Sequence, residues 1–139
     1  MDKEKLIHCL NEDLANEFSA IIQYTIYASR VTGPFRPELV KFFMAEVADE
    51  QRHAQYLADK IVSLGGVPNS VAADVPDASD AKTMLREVMN AESRAIEAYK
   101  ERANQANELG YKALALELED MVKDETNHKE EVEKILAGW

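Results

Sequence analysis

The sequence predicts an all-α fold, a bundle of four long helices, from three observations. Its 139 residues are 46% hydrophobic yet include only 5 glycines and 4 prolines, a balance that favours helix. The breakers fall in three places and leave four segments of similar length. Along each segment the apolar residues recur in steps of three and four, the period of one helix face. A chain of this size buries one core without staples, so residues 1–139 are expected to form a single domain.

The first helix is expected over 3–31, where Gly33-Pro34 stops it. The second runs over 36–64 and ends at the stretch from Gly65 to Ser79. That stretch, GGVPNSVAADVPDAS, has two prolines and is long enough to run the length of a bundle as a crossover between helices 2 and 3. Ser79 or Asp80 would cap the third helix, 80–108. Gly110 separates it from the fourth, 111–136. The short first and last connections make their flanking helices antiparallel neighbours.

Charge and cysteine content narrow the function. A net charge of −10 is wrong for a nucleic-acid backbone and suits cations. The single cysteine, Cys9, excludes an internal disulfide, and no Cys-x-x-Cys is present for a rubredoxin-type or zinc-ribbon centre. The opening residues interrupt every apolar run with charge, unlike a signal peptide, and no stretch approaches the ~20 apolar residues of a membrane span. A cytoplasmic protein without membrane contact is expected.

One pattern carries chemistry. Glu17 is followed 33 residues later by Glu50, with His53 three further on; Glu92 is followed 33 residues later by Glu125, with His128 three further on. Two of the chain's 3 histidines fall in it. The i, i+3 spacing puts carboxylate and imidazole on one helix face, so one helix can hold an ion with both. The turns check the height of these residues: Glu17 lies 16 before Gly33 and Glu50 17 after it, while Glu92 lies 18 before Gly110 and His128 18 after it. At about 1.5 Å per residue, all six reach one level of the bundle.

These charges sit on the inward stripes. The fourth helix reads Leu114, Leu118, Met121, Glu125, His128, Val132, Ile135; the second reads Leu39, Phe43, Glu46, Glu50, His53, Leu57, Ile61, Leu64. Leu10, Leu14, Glu17, Ile21 and Tyr24 form the seam of the first helix, and Leu85, Val88, Glu92, Ala95 and Tyr99 that of the third. Four buried carboxylates without counter-charge would protonate or unfold the bundle. Two divalent cations balance them, and no lysine or arginine on these seams near the site does so. Mixed carboxylate and imidazole donors suit iron best, with manganese or a mixed pair left open.

A Glu from each of two helices with Glu-x-x-His from each of the other two resembles the di-iron carboxylate bundles of the ferritin-like superfamily. Within it the chain looks most like bacterioferritin, through ANEFSAIIQY, DEQRHAQYL, GGVPN and LEDMVKDETNHKEEVEKIL. The resemblance implies two Fe ions per subunit, with Glu17 and Glu92 as terminal ligands, Glu50 and Glu125 as bridges, and His53 and His128 on one ion each. It implies a ferroxidase that turns Fe(II) to Fe(III) with O2 or H2O2 for storage or detoxification, with Tyr24 supplying an electron or merely packing. Two departures bear on this. Gln51 stands where the family has a haem-ligating methionine, so haem is not expected, and the chain ends at Trp139 without a fifth helix, which puts a storage cage in doubt. The alternatives are a di-metal peroxidase or oxidase that stores no mineral, and a non-catalytic metal-binding bundle. A DNA-protecting miniferritin fits less well, since all six ligands arise in one chain and the N-terminus is acidic on balance.

Other residues have smaller roles in this reading. His8 belongs on the surface and Cys9 is a small helix residue. Glu46 is either an outer carboxylate guiding iron or a solvated glutamate, and Tyr99 is core. Phe18, Ile22 and Ile26 face away from the ligand stripe, an apolar patch expected at the interface of at least a homodimer.

Overall fold

The computed structural model describes residues 1–139 as four helices and no strand: α1 Lys3–Arg30, α2 Arg36–Ser63, α3 Ala81–Glu108 and α4 Lys112–Ala137. Their ends lie within a residue or so of the expected ones. The caps explain why. Asp2 accepts a hydrogen bond from the Lys5 amide (2.8 Å), and Asp80 accepts one from the Thr83 amide (2.9 Å), so each satisfies an amide that the first turn leaves free. At the end of α3, Gly110 takes a positive φ of 83°, which an L side chain would resist, and Tyr111 N–H closes back on the Ala106 carbonyl at 2.8 Å. No helix is long and apolar enough to cross a membrane.

Residues 64–80 do cross the length of the bundle, laid along α1 like a strap. Asn69 accounts for one end: its amide donates to Asn11 Oδ1 (2.8 Å) and its side chain to the Asn11 carbonyl (2.7 Å). Further on, Ala73 N–H bonds the Ala15 carbonyl (3.0 Å), Ser19 Oγ donates to the Asp74 carbonyl (3.0 Å) and Tyr27 Oη to that of Pro76 (2.7 Å). Arg30 and Asp77 close the far end at 2.7 Å. Gly66 begins the strap where a β-carbon would stand 2.6 Å from Ile7 Cγ2; only glycine permits that approach. This path returns the chain to the end of α1 where α3 begins, so α1 and α3 are antiparallel.

The predicted stripes form the core. Leu10, Leu14, Leu57, Ile61, Leu114 and Leu118 fill one apolar cluster; Phe43, Leu39, Leu85, Val88 and Val132 fill another. Ile21, Leu64, Ala95 and Ile135 lie half-buried at the margins. Each fully buried leucine stabilises the fold by roughly 1.5–3 kcal/mol. Between the clusters lies a polar layer built from the middle of all four helices. Two apolar cores clamp one charged plane.

Candidate metal centre

Glu17, Glu50, Glu92 and Glu125, one from each helix, are each 2% exposed, and His53 and His128 are buried beside them. Seven side chains gather there in two groups, Glu17, Glu50, His53 and Glu125 in one and Glu46, Glu92 and His128 in the other. Within each group the donor atoms all lie within 4.8 Å of one another. The groups adjoin through two glutamates. Glu50 sets Oε2 3.8 Å from His53 Nδ1 and Oε1 3.5 Å from His128 Nδ1. Glu125 Oε1 lies 3.3 Å from His53 Nδ1 and 3.9 Å from His128 Nδ1.

A surrounding layer fixes these groups, and each of its bonds crosses the bundle. His53 Nε2–H donates to Asp124 (3.0 Å) on α4, and His128 Nε2–H to Asp49 (2.9 Å) on α2. With Nε2 so committed, each ring turns Nδ1 inward as a donor for a cation. The tyrosines cross likewise between α1 and α3: Tyr24 Oη donates to Glu92 Oε1 at 2.6 Å, and Tyr99 Oη to Glu17 Oε1.

Whether a metal suits this arrangement can be read from atoms left without partners. Eight buried side-chain atoms lack a hydrogen bond, and seven are Glu17 Oε2, Glu46 Oε2, Glu50 Oε1, Glu92 Oε2, Glu125 Oε1, His53 Nδ1 and His128 Nδ1. One such atom costs about 1–3 kcal/mol, more when charged; seven facing one region demand a shared cation. Glu46 Oε2 and His128 Nδ1 stand only 2.6 Å apart, a contact that needs positive charge on or between them.

Proton affinities carry the same demand for positive charge. Burial, then the charges of Glu17 and Glu125, pushes Glu50 well above the usual carboxylate range. Glu92 rises to about 8 through burial, with Glu125 and Glu46 outweighing the hydrogen bond from Tyr24. Desolvation works to lower both imidazoles, but Glu125, Glu17 and Glu50 carry His53 far up, and Glu46 with its neighbours lifts His128 to about 9. Glu17 falls instead: burial works to raise it, but neighbouring Glu50, His53 and the Tyr99 hydroxyl prevail. Carboxylates with two imidazoles and no thiolate match iron or manganese better than structural zinc or calcium.

Several expectations need correction. Glu46 is not solvated; at 6% exposure it stands with Glu92 and His128 in the second group. The balance of four carboxylates against two divalent ions therefore omitted a fifth, because its i−4 position faces inward on the same stripe. Tyr99 is more than core, since its hydroxyl holds Glu17. Tyr24 does not merely pack, since its hydroxyl bonds the Glu92 carboxylate. Asp49 and Asp124 were passed over, although each directly precedes a ligand glutamate and the repeat reads Asp-Glu-x-x-His in both halves. A buried ion pair was also missed, Arg102 gripping Asp13 at 2.7 and 3.1 Å. It leaves Arg102 no part in neutralising the centre. His8 is exposed beside Glu12, Cys9 is half-buried and free, and Ile22 and Ile26 are exposed while Phe18 packs partly against the core.

The family model described as a ferritin-like domain matches residues 7–138. The chain belongs to the ferritin-like family. A bacterioferritin from Streptomyces coelicolor is 42% identical over 65 residues, which is 47% of this chain and 39% of that protein. The chain's match thus takes in about two fifths of that curated relative. Over the full length, a solved structure described as ferritin-like, diiron-carboxylate proteins from Bacillus anthracis str. Ames is 45% identical, covering 98% of this chain and 99% of that one at a TM-score of 0.95. A dodecameric thioferritin, the bacterioferritin-related protein from Bacteroides fragilis, is 29% identical, covering 99% and 88% at a TM-score of 0.88. Within the ferritin-like family the all-α bundle and its long crossover are therefore shared features, and the buried carboxylate and histidine cluster is this chain's potential dinuclear site.

Proposed function

We propose that this protein is a ferritin-like ferroxidase, taking Fe(II) as substrate, oxidising it to Fe(III) with O2 or H2O2, and so serving iron storage or detoxification. The observation that carries the reading is the convergence of seven unpartnered donor atoms on two adjoining positions. Glu17 and His53 would hold one iron, Glu92, Glu46 and His128 the other, with Glu50 and Glu125 shared. Two irons so held supply one electron each, which lets a two-electron oxidant be reduced without releasing radicals. Asp49 and Asp124 keep the imidazoles oriented, and the apolar clusters on either side exclude bulk water. Tyr24 orients Glu92 and is placed to give an electron to the centre. The exposed Ile22 and Ile26 and the dodecameric state of the Bacteroides fragilis relative support a homo-oligomer.

The test is the rate of Fe(II) oxidation, followed by ferric absorbance, in wild type and in Glu50→Ala/Glu125→Ala. The double variant should keep its helical circular dichroism and oxidise Fe(II) no faster than buffer. Wild-type rates in that folded variant would overturn the reading. Light scattering on iron-loaded protein then separates a mineral-storing shell from a small di-metal oxidase.

A further inference from the structure

Where α2 begins and α4 ends, the surface changes character. Exposed large apolar side chains elsewhere lack rings, Ile22, Ile26 and Leu116 among them, whereas the only exposed phenylalanine and the tryptophan, Phe35 and Trp139, stand together with ring centroids 5.6 Å apart. Beside them opens a cavity of about 260 Å³, walled by Phe35, Phe42 and Trp139 with Leu39 and Ile135, and rimmed by the exposed Glu38. Phe35 precedes Glu50 by a helical length of about 22 Å, so this cavity is separate from the buried centre.

The side chains lining it offer two polar groups. One is the Glu38 carboxylate; the other is the Trp139 indole N–H, which only donates. No ion pair engages Glu38. Its neighbours of opposite charge are spent elsewhere, Arg36 on the Ala28 and Val31 carbonyls (3.2 and 2.6 Å) and Lys134 beside Glu131 (3.7 Å). An unpaired negative charge therefore stands over an aromatic pocket, on a chain whose net charge is −10.

That combination favours one class of ligand. Aromatic faces attract cations, that of tryptophan most strongly. A divalent metal ion needs several oxygen or nitrogen donors, and one carboxylate does not supply them. A primary ammonium or a guanidinium carries three or five N–H donors, most of which would be stripped of water against phenyl rings without an acceptor. A neutral apolar molecule gains nothing from Glu38. A quaternary ammonium carries full charge, has no N–H to satisfy, and presents methyl groups to the rings, so it alone uses both the walls and the rim.

We propose that this pocket binds a small soluble quaternary ammonium compound, its cation held against Phe35, Phe42 and Trp139 with Glu38 as counter-charge. The site is independent of the metal centre and of the ferroxidase reading. A free solute rather than an anionic lipid surface is the occupant, because the net charge of −10 opposes approach to such a surface.

Trp139 is the chain's 1 tryptophan, so its fluorescence reports this pocket alone. Choline or tetramethylammonium chloride should give a saturable change in the millimolar range that sodium chloride at equal ionic strength does not. Neohexanol, in which carbon replaces the choline nitrogen and no charge remains, should bind about tenfold more weakly. These comparisons use wild type and need no variant to fold. Glu38→Gln should narrow the preference for choline severalfold, and Phe35→Ala/Trp139→Ala, followed by calorimetry with its helical circular dichroism intact, should lose choline binding. The assignment is overturned by no saturable response to either cation, as when a second copy of the chain covers the pocket, or by equal binding of neohexanol. A preference unmoved in Glu38→Gln, choline binding kept in the double variant, or a response to phosphatidylcholine vesicles with none to choline would overturn it as well.

Discussion

The two halves of the bundle are related by an offset of 75 residues that pairs Glu17 with Glu92, Tyr24 with Tyr99, Asp49 with Asp124, Glu50 with Glu125 and His53 with His128. Each half contributes to both donor groups, Glu125 joining Glu17, Glu50 and His53, and Glu46 joining Glu92 and His128, and each tyrosine and aspartate bonds a donor residue of the other half. The halves part company at the same offset elsewhere. Glu46 corresponds to Met121, and the Asp13–Arg102 ion pair to Val88 and Tyr27, which are core. Residues that meet the ions or aim their ligands leave little freedom, because each must neutralise charge or fix a ring. Neighbours on the same stripes need only fill space or satisfy one another, so they diverge into apolar and charged solutions.

The largest expected effect separates shared from unshared ligands. Glu50→Ala should lose both metals and rapid Fe(II) oxidation, whereas Glu92→Ala should lose only the metal beside His128; metal analysis per chain reads two, one or none. Equal losses in the two variants would break the idea of shared bridges. The same Glu50→Ala should raise the melting temperature of metal-free protein, since a buried carboxyl group with an unpartnered Oε1 is gone.

Next comes the pair that only one end of the bundle has. Arg102→Met leaves Asp13 buried without its partner and should cost roughly 3–5 kcal/mol in urea unfolding, whereas Asp13→Leu/Arg102→Met should restore most of it. Burial already raises Asp13 to about 6 against the hold of Arg102. A neutral single variant would show that the pair is as dispensable as Val88 and Tyr27 imply for the other end.

The outer aspartates should act across the halves. Asp124→Ala is expected to weaken metal at the His53 position and Asp49→Ala at the His128 position, each by about 10- to 100-fold, read by calorimetric titration. Loss confined to the aspartate's own helix would contradict the crossed hydrogen bonds.

Without metal, the folded protein should lose stability as pH rises. Glu92 moves from 4.5 up to about 8 and His128 from 6.5 up to about 9 on folding. The native state thus holds more protons than the unfolded chain between about pH 5 and 9, and stability falls across that window. Metal displaces those protons, so its affinity should rise over the same range. A chelator-treated sample whose melting temperature climbs toward pH 9 would contradict the raised values.

The smallest effect tests the asymmetry itself. Glu46→Met gives the first half the residue of the second and should lower affinity at the His128 position by about tenfold or less, leaving the His53 position as before. An equal change at both positions would mean that Glu46 acts through overall charge.

By itself the sequence determined the four helices, their breaks, and which six residues share one level, because helical period and turn offsets are local geometry. It also determined that positive charge is needed there, since carboxylates stood where apolar residues belong. Only the tertiary structure decided the crossed partnerships of Tyr24, Tyr99, Asp49 and Asp124, the grouping of Glu46 with Glu92 and His128, and the Asp13–Arg102 pair. Those contacts join helices far apart in the chain. Their side chains look the same in sequence whether they meet solvent or one another, and only the packing angle of α1 on α3 and of α2 on α4 tells which.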